Sequence, residues 1–224
     1  MHQRKIGGKA TGHFGASLWR GGFSWTGSPL EFNWHPVLMV SGLVVLHGNA
    51  ALVYRVPFTW RQRKQTWKLV HAGLMLVGFI LSVLGLYVVF DYHRGLNLTH
   101  LYSLHSWVGI CTVAVFWILG LAGFLFPCSP LCFRSNLKPV HVCVGKAILI
   151  LSLISCVSGI TEKLQLVLGE PYSSLPVEGK FANFLGLLIV SFGLVVLGIL
   201  SKDNWQRPET DGEAIHVSVA AILL

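Results

Sequence analysis

His35, His71, His105 and His141 recur at intervals of 36, 34 and 36 residues, each at or near the start of a long apolar segment. A neutral imidazole can ligate a metal through one ring nitrogen without carrying charge into an apolar setting. The interval matches one membrane crossing plus its turn, so in antiparallel segments the first and third histidines fall near one face and the second and fourth near the other. Two imidazole pairs at two depths are the ligand set of two bis-histidine haems, with one ring above each iron and one below. The expectation is therefore two haem b groups, one iron held by His35 and His105 and the other by His71 and His141. Electrons would then cross the membrane between them. A lone histidine in a span more often hydrogen-bonds a neighbouring helix, but four at paired depths favour function. His47, 12 residues after His35 and without a partner at its depth, reads as a hydrogen-bonded structural residue.

The elements that must position these rings are apolar helices. Of the 224 residues, 53% are hydrophobic and 12% charged, and the mean hydropathy is +0.63, too apolar for an ordinary soluble domain. Five segments approach the roughly 20 residues needed to span a hydrocarbon core: about His35 to Val53, Leu69 to Phe90, Leu101 to Phe126, Val140 to Ile160 and Phe181 to Leu200. They lack the alternation of barrel strands, which predicts an all-α transmembrane bundle in the lipid bilayer. The organisation expected is an N-terminal arm over 1–33, a dihaem transmembrane domain over 34–201 and a cytosolic tail over 202–224.

The net charge of +8 follows from topology and not from nucleic-acid binding, since no aromatic-basic motif accompanies the cations. Arg55, Arg61, Arg63, Lys64 and Lys68 fill the first connection, Arg134 and Lys138 the third, and Lys202 and Arg207 the tail. The positive-inside rule makes these three cytosolic. Asp91, Glu162, Glu170 and Glu178 lie in the second and fourth connections, which belong outside, so His35 and His105 face the outer side. No Cys-x-x-Cys-His motif occurs among the five cysteines, which makes any haem non-covalent. Neither a dinucleotide fingerprint nor a side chain acting as acid, base or nucleophile is visible.

Phe32-Asn33-Trp34-His35-Pro36, Leu52-Val53-Tyr54-Arg55, Lys68-Leu69-Val70-His71-Ala72, Leu101-Tyr102-Ser103-Leu104-His105-Ser106-Trp107 and Lys138-Pro139-Val140-His141 occur in order along the chain. Together they resemble the cytochrome b561 family of ascorbate-dependent transmembrane reductases, over roughly residues 19 to 208. Arg20-Gly21-Gly22-Phe23 and Thr161-Glu162-Lys163-Leu164 are most similar to the lysosomal member of that family. Family members usually have six spans, with one before the arginine-glycine stretch, and this sequence shows no such apolar run there. The resemblance implies a cytosolic ascorbate site at Arg55, Lys64, Lys68 and Arg134, where cations would concentrate and bind an enolate. On the outer side Asn33, His93, His100 and Tyr102 surround the His35 and His105 helices and form the candidate acceptor site.

The resulting expectation is an oxidoreductase that passes single electrons from cytosolic ascorbate to a ferric chelate or monodehydroascorbate. The resemblance places it in the late endosome or lysosome membrane, with the plasma membrane or another secretory-pathway membrane as the alternative, and leaves a homodimer open. A second reading is a shortened, non-enzymatic membrane protein that pairs with or regulates a full-length reductase. A proton-relaying transporter is a third, although no inverted repeat of broken helices is evident.

Overall fold

The computed structural model describes residues 19–25, 28–125 and 131–208, with the side chains at 29 and 123–136 excepted. Every regular element among these residues is a helix. Five are long and apolar enough to cross a membrane. We number them α1 (Leu30–Leu52), α2 (Lys64–Gly95), α3 (Leu104–Leu125), α4 (Leu131–Leu168) and α5 (Val177–Leu200). We call the end carrying His35 and His105 the outer end, following the charge distribution.

The helices outrun the apolar segments that announce them. α2 begins five residues before Leu69 and runs on to Gly95, where Asn97 at a φ of 52° turns the chain; asparagine tolerates that left-handed conformation. α4 continues through Thr161-Glu162-Lys163, expected to open the fourth connection, as far as Leu168. At ~1.5 Å per residue, its 38 residues span about 57 Å, well beyond the ~30 Å hydrocarbon core. Charged side chains therefore ride on helix ends in the interface, where hydropathy falls but backbone hydrogen bonding continues.

α1 is not uniform. A 3₁₀ turn, Pro29–Asn33, leads into α-helix, a π-helical segment at Val40–Leu46 and α-helix again at His47–Leu52. Within the π segment Gly42 meets Gly78 of α2, and a β-carbon at Gly42 would lie 3.0 Å from the Gly78 carbonyl oxygen. Backbones this close bring the helices together through van der Waals contact, the main source of association where lipid cancels the hydrophobic gain.

Leu43, Val113, Phe116 and Ile148 form a buried cluster midway along the bundle, and Leu149, Val196 and Leu200 a second between α4 and α5. Outward-facing positions are as apolar as the core: Ile118 is 69% exposed and Leu194 61%. A surface of this kind needs lipid against it.

Candidate functional site

His35 lies in the second turn of α1, and His105 opens α3 beside it, with ring centroids 6.2 Å apart and ring planes near perpendicular at 89°. His71 on α2 and His141 on α4 form a second couple at the other end, again 6.2 Å apart, at 61°. Three of the four rings are anchored in the same way. His35 Nδ1 lies 2.9 Å from the Gly85 carbonyl oxygen, His71 Nδ1 2.9 Å from that of Ala50, and His105 Nδ1 2.9 Å from that of Ser155. A carbonyl only accepts, so each Nδ1 carries the proton and each Nε2 keeps its lone pair. Such an outer hydrogen bond fixes both tautomer and ring orientation in metal-ligating histidines.

The two couples are separated by depth. His71 and Gly85, the anchor of His35, stand fourteen residues apart on α2, or about 21 Å along its axis. The apolar cluster of Leu43, Val113, Phe116 and Ile148 fills the space between. His47 is buried there against Phe116, ring centroids 5.7 Å apart. The outer ring also needs a missing side chain: a β-carbon at Gly159 would come within 2.7 Å of His105 Cε1.

At the inner end, Lys64 opens α2 and Lys68 is exposed one turn before His71. Arg55 Nη1 donates to the Lys202 carbonyl oxygen at 2.9 Å. Arg207 donates to the carbonyl oxygens of Thr59 and Gln62, at 3.2 and 2.6 Å, drawing the segment after α5 across the first connection. Tyr54 lies beside His71, ring centroids 5.7 Å apart and planes tilted by 44°; burial pushes its phenol above the usual value, and Arg207 pulls the other way. Arg134 lies within α4, but its side chain is outside the described residues.

At the outer end two of the expected residues meet each other, while Tyr102 and Asn33 take other partners. His93 and His100 stack on each other, centroids 5.5 Å apart. Tyr102 donates to a Glu162 carboxylate oxygen at 2.6 Å, beside a cavity of about 510 Å³ that His105, Ser158 and Thr161 also line. That hydrogen bond pushes the Tyr102 phenol up to about 12. Asn33 is buried, and its amide donates to the carbonyl oxygens of Arg20 and Gly22 at 3.2 and 2.6 Å. With the Arg20–Glu178 ion pair and the Trp19–Phe181 contact, it straps residues 19–22 over the outer ends of α1 and α5.

Sequence reasoning missed the carbonyl anchors, Gly159 and Lys163. Carbonyl anchors and a steric vacancy leave no mark in residue type or spacing. Lys163 does leave one, as a cation joined directly to an apolar helix within the Thr161-Glu162-Lys163-Leu164 segment.

A membrane bundle that sets four imidazoles in two couples at two depths has the framework of a transmembrane b-type cytochrome. Eukaryotic cytochrome b561 matches residues 34–166 as a family, and the chain belongs to the cytochrome b561 family. It is 55% identical over 213 residues to the lysosomal membrane ascorbate-dependent ferrireductase CYB561A3 of Danio rerio, covering 91% of this chain and 86% of the relative. It is 54% identical over 197 residues to the Homo sapiens protein of the same name, covering 85% and 81%. The plasma membrane ascorbate-dependent reductase CYBRD1 of Mus musculus is 43% identical over 197 residues, covering 86% of this chain and 68% of the relative.

Proposed function

We propose that the chain is an oxidoreductase of the lysosomal membrane that carries single electrons from cytosolic ascorbate through two b-type haems to a ferric chelate on the far side. The observation that carries this reading is the pair of imidazole couples, each with centroids 6.2 Å apart. Two metal–nitrogen bonds of ~2 Å end to end, plus ~1 Å from each nitrogen to its ring centre, require about 6 Å. The donor set fits the group, because the anchored rings present neutral Nε2 atoms. His35 with His105 would hold the outer iron and His71 with His141 the inner one. Haem b, when bound, supplies the one-electron couple at each depth.

The protein's own groups do the rest. Carbonyls of Gly85, Ala50 and Ser155 hold the rings at fixed angles, and the central apolar cluster keeps water from the path between the couples. Lys64, Lys68, Arg55 and Arg134 form the cytosolic ascorbate site, where charge-assisted hydrogen bonds meet an enolate monoanion. His93, His100 and Tyr102 face the acceptor, and Asn33, buried beneath the strap, holds residues 20–22 beside them. The names of two of these relatives, ferrireductases of the lysosomal membrane, favour a ferric chelate over monodehydroascorbate. Residues 34–201 constitute the dihaem unit and 202–224 the cytosolic tail.

The test is the visible spectrum of the purified protein, followed by vesicle assays with ascorbate and ferric chelate on opposite sides. Two low-spin b-type haems per chain, reduced by ascorbate and reoxidised across the membrane, are expected. A colourless protein, or one whose haem ascorbate leaves oxidised, would overturn the reading.

A further inference from the structure

Lys163 lies eight residues beyond Ser155 on α4. Its Nζ stands 3.7 Å from the centre of the Phe32 ring on α1 and 5.9 Å from that of Tyr92 on α2. Phe32 in turn neighbours His35, with ring centroids 5.9 Å apart. Only one aromatic ring therefore separates the ammonium from a candidate ligand of the outer iron.

Lys163 is half-buried, and a lysine ammonium is strongly hydrated and costly to desolvate even in part without a counter-charge. Among the described residues no carboxylate forms an ion pair with Lys163. Glu178 is taken by Arg20 and Glu162 accepts from Tyr102. Aromatic faces offset part of the lost hydration through their quadrupoles, but an apolar side chain would fill the same space at less cost. What a leucine or methionine could not supply is a fixed positive charge, and such a charge favours the reduced form of a nearby redox centre because reduction lowers the net charge.

We propose that Lys163 is a positioning residue that raises the reduction potential of the outer haem through the Phe32–His35 contact, so that electrons entering from the inner end are drawn outward. The inference rests on the dihaem reading above.

Spectroelectrochemical titration of the purified holoprotein tests it. The wave lost in His35→Ala marks the outer haem. In Lys163→Met and Lys163→Gln the reduced-to-oxidised ratio of that haem, at a fixed applied potential, should fall about tenfold, equivalent to ~59 mV for a one-electron couple. The inner wave should stay in place, and Lys163→Arg should restore the outer one. Neutral variants that leave the outer wave unmoved, or that shift both waves alike, overturn the proposal and reduce Lys163 to packing. A wild-type protein that binds no haem would instead bring down the dihaem reading itself.

Discussion

The two ends of the bundle treat their imidazoles alike and their charges differently. Rings at both ends stand 6.2 Å apart, and three of the four donate from Nδ1 to helix carbonyls. At the outer end, however, Arg20 pairs with Glu178 and Glu162 accepts from Tyr102, while Lys163 rests against the Phe32 ring. At the inner end cations bond backbone oxygens instead, Arg55 to Lys202 and Arg207 to Gln62, while Lys68 is exposed. Asp203 is the one acid among the described residues of that end. Ring placement decides where a cofactor can sit, whereas charge placement decides which substrate approaches. The inner end keeps a field that gathers anions, and the outer end has largely spent its own on holding the strap and helix ends together.

The largest expected effect breaks the likeness of the two ends at its source. His35→Ala or His105→Ala should remove one haem and leave the other, and His71→Ala or His141→Ala should do the converse. Haem-to-protein ratios would fall from two to one, with the surviving spectrum depending on which end was cut. Loss of both haems in all four variants, from protein that remains folded, would mean that the couples are not independent sites.

Next comes a steric contrast. Gly159→Ala forces a β-carbon to within 2.7 Å of His105, whereas the added carbon of Gly145→Ala, one turn from His141, meets nothing within 4 Å. Overpacking of this kind typically costs about 1–3 kcal/mol, here concentrated on a ring that must keep its angle. Outer-haem content should drop in Gly159→Ala alone, as measured by pyridine haemochrome assay and thermal melting.

That contrast also marks what the sequence disclosed. The five spans were legible because lipid demands about 20 apolar residues from each helix, and the histidines stood out because ionisable groups are rare in such runs. Helix ends were less legible: Glu162 and Lys163 look like a connection by hydropathy, yet the backbone remains helical to Leu168. The room that Gly159 leaves for His105, and the carbonyls that His35, His71 and His105 hold, depend on which helix lies alongside. Residue spacing within one segment carries no record of that.

A smaller effect sharpens the charge difference. Replacing Lys68 and Arg134 by Ala should weaken reduction by ascorbate while sparing reduction by a small uncharged reagent. A charge-assisted hydrogen bond is worth roughly 1.5 to 3 kcal/mol, or on the order of tenfold or more in apparent affinity per residue. Stopped-flow reduction with the two reagents separates the effects. Equal slowing with both would return these cations to a purely topological role.

The smallest effect belongs to the outer pairing of Tyr102 with Glu162. The phenol must keep its proton to donate to the carboxylate, which raises its folded value from 10.0 to about 12. For a group with a raised folded value, the stabilisation is fully present below pH 10 and is lost as pH climbs through about 12. Tyr102 is exposed, so solvent screening keeps the contribution small. Subtracting the ultraviolet titration of Tyr102→Phe from that of wild type should isolate a tyrosinate signal rising near pH 12, and replacing Glu162 with Gln should move that signal down toward pH 10. If the signal already appears near pH 10 in wild type, the outer acid is not engaged by Tyr102. Glu162 would then be free to meet the acceptor directly, and the two ends would differ less in how their charge is used.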